Sequence, residues 1–240
     1  MATSGLETIF SLAGFRVTNT LTATLLVDAV IITLIFLLKK RISLVPGKFQ
    51  GIVEAVIDYL YTTTEQVAGP RAAMLFPWVA IFFLYIAISN LMGLLPGFGT
   101  IGFFRGHEMV PLLRASTSDL NVTLALALVS VVATHTLAIR TTGLGSYLRR
   151  FFALNPLLLF VGLMEIVQEV TKLLSFSFRL YGNISAGESV LGTMASISAF
   201  VLPIPFLALE ILVGVIQALI FALLTLAFMT ILTDKHSTSH

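Results

Sequence analysis

Residues 175–188 read SFSFRLYGNISAGE, and they sit inside a region that is otherwise apolar from Asn155 to Thr230. Arg179 dominates the stretch. An arginine at the centre of a bilayer costs at least ~2.5–3.5 kcal/mol on insertion scales. It does not escape by losing its proton, because guanidinium keeps that proton at any pH below about 12. A membrane protein that keeps such a residue must give the charge a partner, and ionisable residues at this depth mark functional sites by default.

The rest of the composition makes the membrane reading firm. Of 240 residues, 57% are hydrophobic and only 11% charged, and the mean hydropathy is +1.00. So little charge would not keep a soluble domain dispersed. The apolar windows are long and helical, without the ten-residue alternation of a barrel. The expected fold is an all-α integral membrane protein forming a single polytopic domain over residues 1–240. The pI near 9.0 does not point to nucleic acid, because many basic residues flank spanning segments and report topology. With no cysteine and four scattered histidines, neither thiolate chemistry nor metal-ligand spacing is present, and no metal or cofactor is expected. No Arg-rich transit segment precedes the first apolar window, which is too long for a signal-peptide core and reads as a retained helix.

The chain order then predicts five spans and one surface helix. Met1–Asn19, with Glu7 and Arg16, is a short outer segment. Leu21–Leu38 is the first span, closed by Lys39, Lys40 and Arg41, which mark the cytoplasmic side by the positive-inside rule. Asp28 within it reads as an acid near the outer interface or bonded to a neighbour. After Pro46 and Gly47, Phe49–Val67 has Ile52, Val53, Val56, Ile57, Leu60 and Tyr61 on one helical face, an amphipathic surface helix. Ala73–Leu95 is the second span, with Asn90 near its outer end. The loop Pro96–Ser118 carries Arg105, His107, Glu108 and Arg114 and reads as solvated. Asp119–Leu137 is the third span, capped by Ser118 or Asp119, with Asp119 and Asn121 at its outer mouth and Arg140, Arg149 and Arg150 inside. His135 reads as a buried or interfacial histidine. From Asn155 to Thr230 two long tilted helices form a hairpin, broken by Pro203 and Pro205. Thr233, Asp234, Lys235 and His236 end the chain inside, so the N-terminus lies outside.

The hairpin gathers the polar residues. Arg179 and Asn183 share a helical face with Ser175, and Glu210 and Gln217 share another. A pivot near Ser198 sets Arg179 opposite Gln217 and Glu188 beside Glu210. The result is a deep Arg/Gln site and, nearer the outer surface, a two-carboxylate site suited to holding and passing a proton. Glu165, Glu169 and Lys172 follow i, i+4, i+7 spacing and line one face toward the inside. A fixed cation at Arg179 blocks direct proton passage between the two ends. The plainer readings are a purely structural ion pair for Arg179, an interhelical hydrogen bond for Asn183, and close helix contact for Gly182, Ala186 and Gly187.

SFRLYGNISAGE resembles the signature of subunit a of the F-type ATP synthase, the membrane stator that works against a rotating ring of c subunits. ALEILVGVIQALIFALLTLAFM resembles that family's last helix with its glutamine, and SNLMGLLPG and SDLNVTLALAL match segments of the second and third spans. The resemblance covers nearly the whole chain in order. It implies that Arg179 is the essential coupling residue, with Asn183 and Gln217 as companions. It assigns Glu188 and Glu210 to the outer half-channel, at positions where some relatives hold a Glu/His pair. Asp119, Asn121 and Asn90 match outer polar positions, and Glu165 and Lys172 inner ones. The implied mechanism has two offset half-channels. A proton passes Asp119, Asn121, Glu188 and Glu210, neutralises a ring carboxylate, and leaves past Glu165 and Glu169 after rotation. The implied partners are the c-subunit ring, b-type peripheral stalk subunits and the lipid bilayer. The chain is then an ion-translocating subunit and not an enzyme by itself. The carried ion, proton or sodium, is chosen by ligands on the ring.

A sequence beginning at Met1 fits a bacterial inner membrane, and an organelle-encoded copy would look similar. The alternative is a stand-alone secondary transporter with an intramembrane Arg site, but such folds show repeated halves with broken helices and no repeat is visible. An intramembrane hydrolase would need a Ser/His or paired-Asp arrangement or HExxH, and none is present.

Overall fold

Thr18 turns an extended strand into a helix. Its hydroxyl accepts from the Leu21 amide at 3.3 Å, satisfying one of the open donors of the first turn, and α1 runs Asn19–Arg41. The computed structural model describes the chain apart from residues 1–7, 13–14, 44–45, 96–97, 99–101, 106–107, 146, 148–155, 199–200 and 234–240. Glu7, Pro96, His107, Arg149, Arg150, Asn155, Asp234, Lys235 and His236 therefore lie outside the described residues, as do the side chains of Arg16, Arg41, Arg105 and Glu108.

Among the described residues the chain forms six α-helices. After α1 come α2 (Lys48–Ala68), α3 (Ala72–Gly93), α4 (Leu120–Thr142), α5 (Pro156–Ile197) and α6 (Pro203–Thr233). Gly69 separates α2 from α3 at φ +55, a left-handed conformation that favours glycine, and Pro70 follows it. Gly143, at φ +86, ends α4 in the same way. Pro203 occupies the first position of α6, where its missing amide costs nothing. Four stretches are long and apolar enough to cross a membrane: Asn19–Lys40, Leu120–Thr142, Pro203–Thr233 and the run Lys48–Gly93 that joins α2 to α3. With α5, longer but more charged, the five spanning helices expected are present.

The length of α5 is the dominant dimension. Its 42 residues make a rod of about 63 Å at 1.5 Å per residue, about twice the ~30 Å hydrocarbon thickness. A rod of that length crosses only if strongly inclined, as the hairpin reading required.

The core lies where α3, α5 and α6 meet. Leu75, Val79, Phe82 and Ile86 recur at i, i+4, i+7 and i+11 on α3 and face Ala218, Phe221, Ala222, Leu226 and Met229 of α6. Phe221 takes Phe82 on one side and Phe176 of α5 on the other, with ring centroids 5.5 and 5.0 Å away. Lipid is as apolar as leucine, so helix association here rests on packing and hydrogen bonds rather than on water exclusion. The bonds include Asn90 Nδ2 to the Gly214 carbonyl at 2.9 Å, Ser130 with Thr225 at 2.8 Å, and Arg71 to Thr233 Oγ1 at 3.1 Å. By contrast α1 buries little of its surface, with Ala23 and Val27 its buried apolar residues. Its remaining apolar surface suits lipid. Helix α2 buries Leu60, Thr64 and Ala68 and leaves its other face open.

Two short antiparallel hairpins join the end of the bundle where α1 begins and α3 closes. Strand β1 (Thr8–Leu12) pairs with β2 (Phe15–Thr18), and β3 (Gly102–Arg105) with β4 (Glu108–Pro111). The first pair lies in the short outer segment and the second in the loop expected over residues 96–118, so both strand pairs differ from the irregular structure expected there. The segment Ala115–Asp119 also departs from a solvated loop: Ser116, Thr117 and Ser118 form a buried 3-10 turn against the helix ends.

Candidate functional site

On α5 the backbone period brings Ser175, Arg179 and Asn183 to one face, and that face is exposed together with Phe178, Gly182 and Ala186. The Arg179 guanidinium donates to Ser175 Oγ at 3.3 Å. Among the described residues no carboxylate pairs with it. A Cβ added at Gly182 would meet nothing within 4 Å, so the groove beside Arg179 is open.

Asn183, not Arg179, meets Gln217. Its Nδ2 donates to Gln217 Oε1 at 2.8 Å, and the Gln217 side chain is buried against α5. The expected facing of Arg179 and Gln217 is thus displaced by one helical turn. Helix α5 ends at Ile197 and α6 begins at Pro203, so the midpoint between the two helix ends falls beyond Ser198. Arg179 stays on the same face, one turn deeper along α5.

The two-carboxylate site forms higher in the hairpin. Glu188 and Glu210 both line a small cavity of about 10 Å³, the room of a single water, with Asn90, Ala115 and Ile184. Glu210 also lines a second, wider cleft of about 240 Å³ with Asn183, Gly187 and Val213. It therefore stands between the small pocket and the face that carries Asn183 and Arg179. Gly187 makes room for it: any Cβ there would run into the Glu210 carboxylate. Asn90 holds the Gly214 carbonyl while its own Oδ1 is buried without a partner. A buried acceptor of this kind calls for an ordered water, and the small cavity has room for one.

Arg114 was read as part of a solvated loop. Instead it turns inward, and its Nη2 lies 3.6 Å from Glu188 Oε2. The buried turn at Ser116–Ser118 brings it there. No periodicity in that segment announces the contact.

A further polar group gathers at the mouth of α4. Asp119 caps the helix by accepting from the Asn121 amide at 2.9 Å, and also holds Asn121 Nδ2 at 3.1 Å. Its other oxygen accepts from Thr20 Oγ1 at 2.9 Å. Among the described residues, Asn19, fully buried at the start of α1, has neither amide atom bonded, and the hydroxyls of Ser89, Ser116 and Thr117 are likewise buried without a partner. Buried polar groups of this kind call for ordered water. Asn19 and Thr20 escaped the sequence reading because the first span was started after them.

At the opposite end, Glu169 pairs with Lys172 one turn on and with His135 Nε2 of α4 at 3.3 Å. Lys172 lies over the Phe228 ring, 4.1 Å from its centroid. Glu165, half-buried, stands one turn before Glu169 on the same helix. Among the described residues no three His, Asp or Glu side chains converge as a metal site requires.

Comparison with known proteins fits this arrangement. The sequence model of the family described as ATP synthase A chain matches residues 21–230. A protein of Moorella thermoacetica named ATP synthase subunit a is 28% identical over 228 residues, covering 95% of this chain and 96% of its own. ATP synthase subunit a 1 of Hahella chejuensis is 31% identical over 88% of this chain and 82% of its own. ATP synthase subunit a 2 of Pelobacter propionicus is 31% identical over 92% and 90%.

Proposed function

Because the chain belongs to the ATP synthase A chain family, we propose that it is the proton-translocating stator subunit of an F-type ATP synthase, with two offset half-channels kept apart by Arg179. The observation that carries this reading is the double exposure of Glu210. It lines the small pocket with Glu188 and Asn90 and also the wider cleft with Asn183. A proton reaching Glu188 through the wet cluster at Asp119, Asn121 and Asn90 can thus be handed to the open face of α5 without crossing apolar packing.

On that open face Arg179 is charged, exposed and without a carboxylate among the described residues. Lipid does not solvate such a group. The partner that suits it is an acidic side chain on another membrane helix, here the c-subunit ring, and the open groove at Gly182 admits a helix closely. The ring carboxylate, ionised, is drawn to Arg179. Protonated from Glu210, it is released into lipid and turns away. After rotation it discharges toward Glu165, Glu169 and Lys172. Asn183 and Gln217 hold the two hairpin helices in register beneath this exchange. Each charge carried gains ~2.3 kcal/mol per 100 mV of membrane potential, so several must pass for each ATP made. The chain performs no bond chemistry of its own in this role. It resides in a bacterial inner membrane, N-terminus outside and C-terminus cytoplasmic, with an organelle energy-transducing membrane as the alternative, and it meets b-type peripheral stalk subunits as well as the ring.

The test is ATP-driven proton pumping in membrane vesicles carrying Arg179→Ala in the assembled complex. Pumping is expected to vanish while assembly persists. Pumping near the wild-type rate would make Arg179 a structural residue and overturn the mechanism at its centre.

A further inference from the structure

His135 is bonded through both ring nitrogens. Nδ1 lies 2.7 Å from the Tyr147 hydroxyl, and Nε2 lies 3.3 Å from Glu169 Oε2. The Tyr147 ring packs edge-on against the imidazole, centroids 5.9 Å apart at 74°. The other oxygen of Glu169 takes the Lys172 ammonium. Four side chains from α4, the segment after it and α5 therefore form one unbroken line: Tyr147, His135, Glu169, Lys172. The last three are 15–21% exposed, so the line is neither sealed nor open to bulk water.

We propose that His135 is a proton relay of the inner half-channel, joining Glu169 to water through Tyr147. This rests on the reading of the chain as a proton-translocating subunit. Imidazole is suited to the task because it takes a proton at one nitrogen and gives one up at the other. For outward release toward the inner water, a proton on Glu169 moves to Nε2. The Nδ1 proton moves to the Tyr147 oxygen, and the phenol gives its own proton to water. One proton has left Glu169, no net charge stays on the relay, and a flip of the ring restores the starting tautomer. Uptake runs the same steps backward. Lys172 stays in place throughout and compensates the carboxylate when it is ionised. It is also held by Phe228 of α6, so Glu169 keeps a fixed partner while its other oxygen exchanges protons.

Among the described residues, the charged or titratable groups around His135 are few. Helix α5 presents Glu169 and Lys172, with Glu165 one turn away. The segment after α4 presents Tyr147, and α4 itself carries Arg140 one turn further on. At this level α6 offers Thr225 and Phe228, neither titratable.

The experiment measures ATP-driven pumping in inverted vesicles, where the inner face meets the medium, as a function of medium pH. The complexes carry His135→Gln, His135→Ala or Tyr147→Phe, with Arg179→Ala run alongside. His135→Gln retains hydrogen bonding but cannot shuttle. It is expected to slow pumping at least about tenfold, below the ~10²–10⁴ of a full general acid–base group. It should also change how the rate depends on medium pH. Tyr147→Phe should give a smaller loss, and imidazole added to the medium should restore part of the His135→Ala rate but none of the Arg179→Ala rate. Wild-type rate and pH profile in His135→Gln would overturn the relay and leave His135 a strut between α4 and α5. If the His135 variants do not assemble, an unaltered rate and profile in Tyr147→Phe overturns it equally. Pumping retained by Arg179→Ala would instead sink the subunit reading itself, so the two failures are separable.

Discussion

A methyl group on Gly187 would have to share space with the Glu210 carboxylate. The obstacle is the far end of a flexible side chain rather than backbone, so the helices need not part. Gly187→Ala is therefore expected to leave assembly nearly intact, costing about 1 kcal/mol at the low end of overpacking, while pushing the Glu210 carboxylate out of the pocket it shares with Glu188. Pumping should fall several-fold more than the amount of assembled complex, and pumping that merely tracks assembly would show that the position of Glu210 is unimportant. The pairing of these two acids was legible from spacing alone, because antiparallel helices joined by a short turn bring residues equidistant from its centre together. The partner of Gln217, expected at Arg179 and found at Asn183, was missed by one turn for the same reason in reverse: a small error in the centre of pairing moves every pair by twice as much. Arg114 was not legible at all. It reaches Glu188 from a segment with no helical period, and a charged residue in such a segment looks solvated until the backbone is traced. His135 meets Glu169 across two helices whose relative rotation no spacing rule specifies.

At the scale of the helix, α3 and α6 approach most tightly where Asn90 lies over Gly214. A Cβ at Gly214 would stand 3.1 Å from the Asn90 Cβ, close enough that the neighbour must give by a few tenths of an ångström. Gly214→Ala is expected to cost about 1–3 kcal/mol as overpacking, seen as a lower thermal midpoint of the detergent-solubilised complex. An unchanged midpoint would mean that α3 and α6 can slide apart freely, against the Asn90 bond to the Gly214 carbonyl. The helices themselves were well predicted, since Pro46, Gly47, the Lys39–Arg41 cluster and Pro203 each stop or start the backbone for a local reason. The two β-hairpins were not. Their strands are four or five residues long, too short for an alternating pattern to stand out from an irregular loop.

For the molecule as a whole, the end bearing Gly47 and the end bearing Leu112 are opposite, and the natural absence of cysteine allows each to be tagged singly. Gly47→Cys is expected to react with a membrane-impermeant maleimide only from the cytoplasmic side, and Leu112→Cys only from the outside. The reverse labelling would invert the orientation inferred from Lys39, Lys40 and Arg41. That orientation is an expectation drawn from charge asymmetry in the sequence, whereas the packing of the two polar ends is visible only in the folded chain. The uninterrupted course of α5 has one more consequence. Between Pro156 and Ile197 it contains no proline and no break, and it packs against α4 and α6. A helix without a hinge carries a sideways load as a beam does, so a force applied at its middle is delivered to both of its ends at once instead of being lost in local bending.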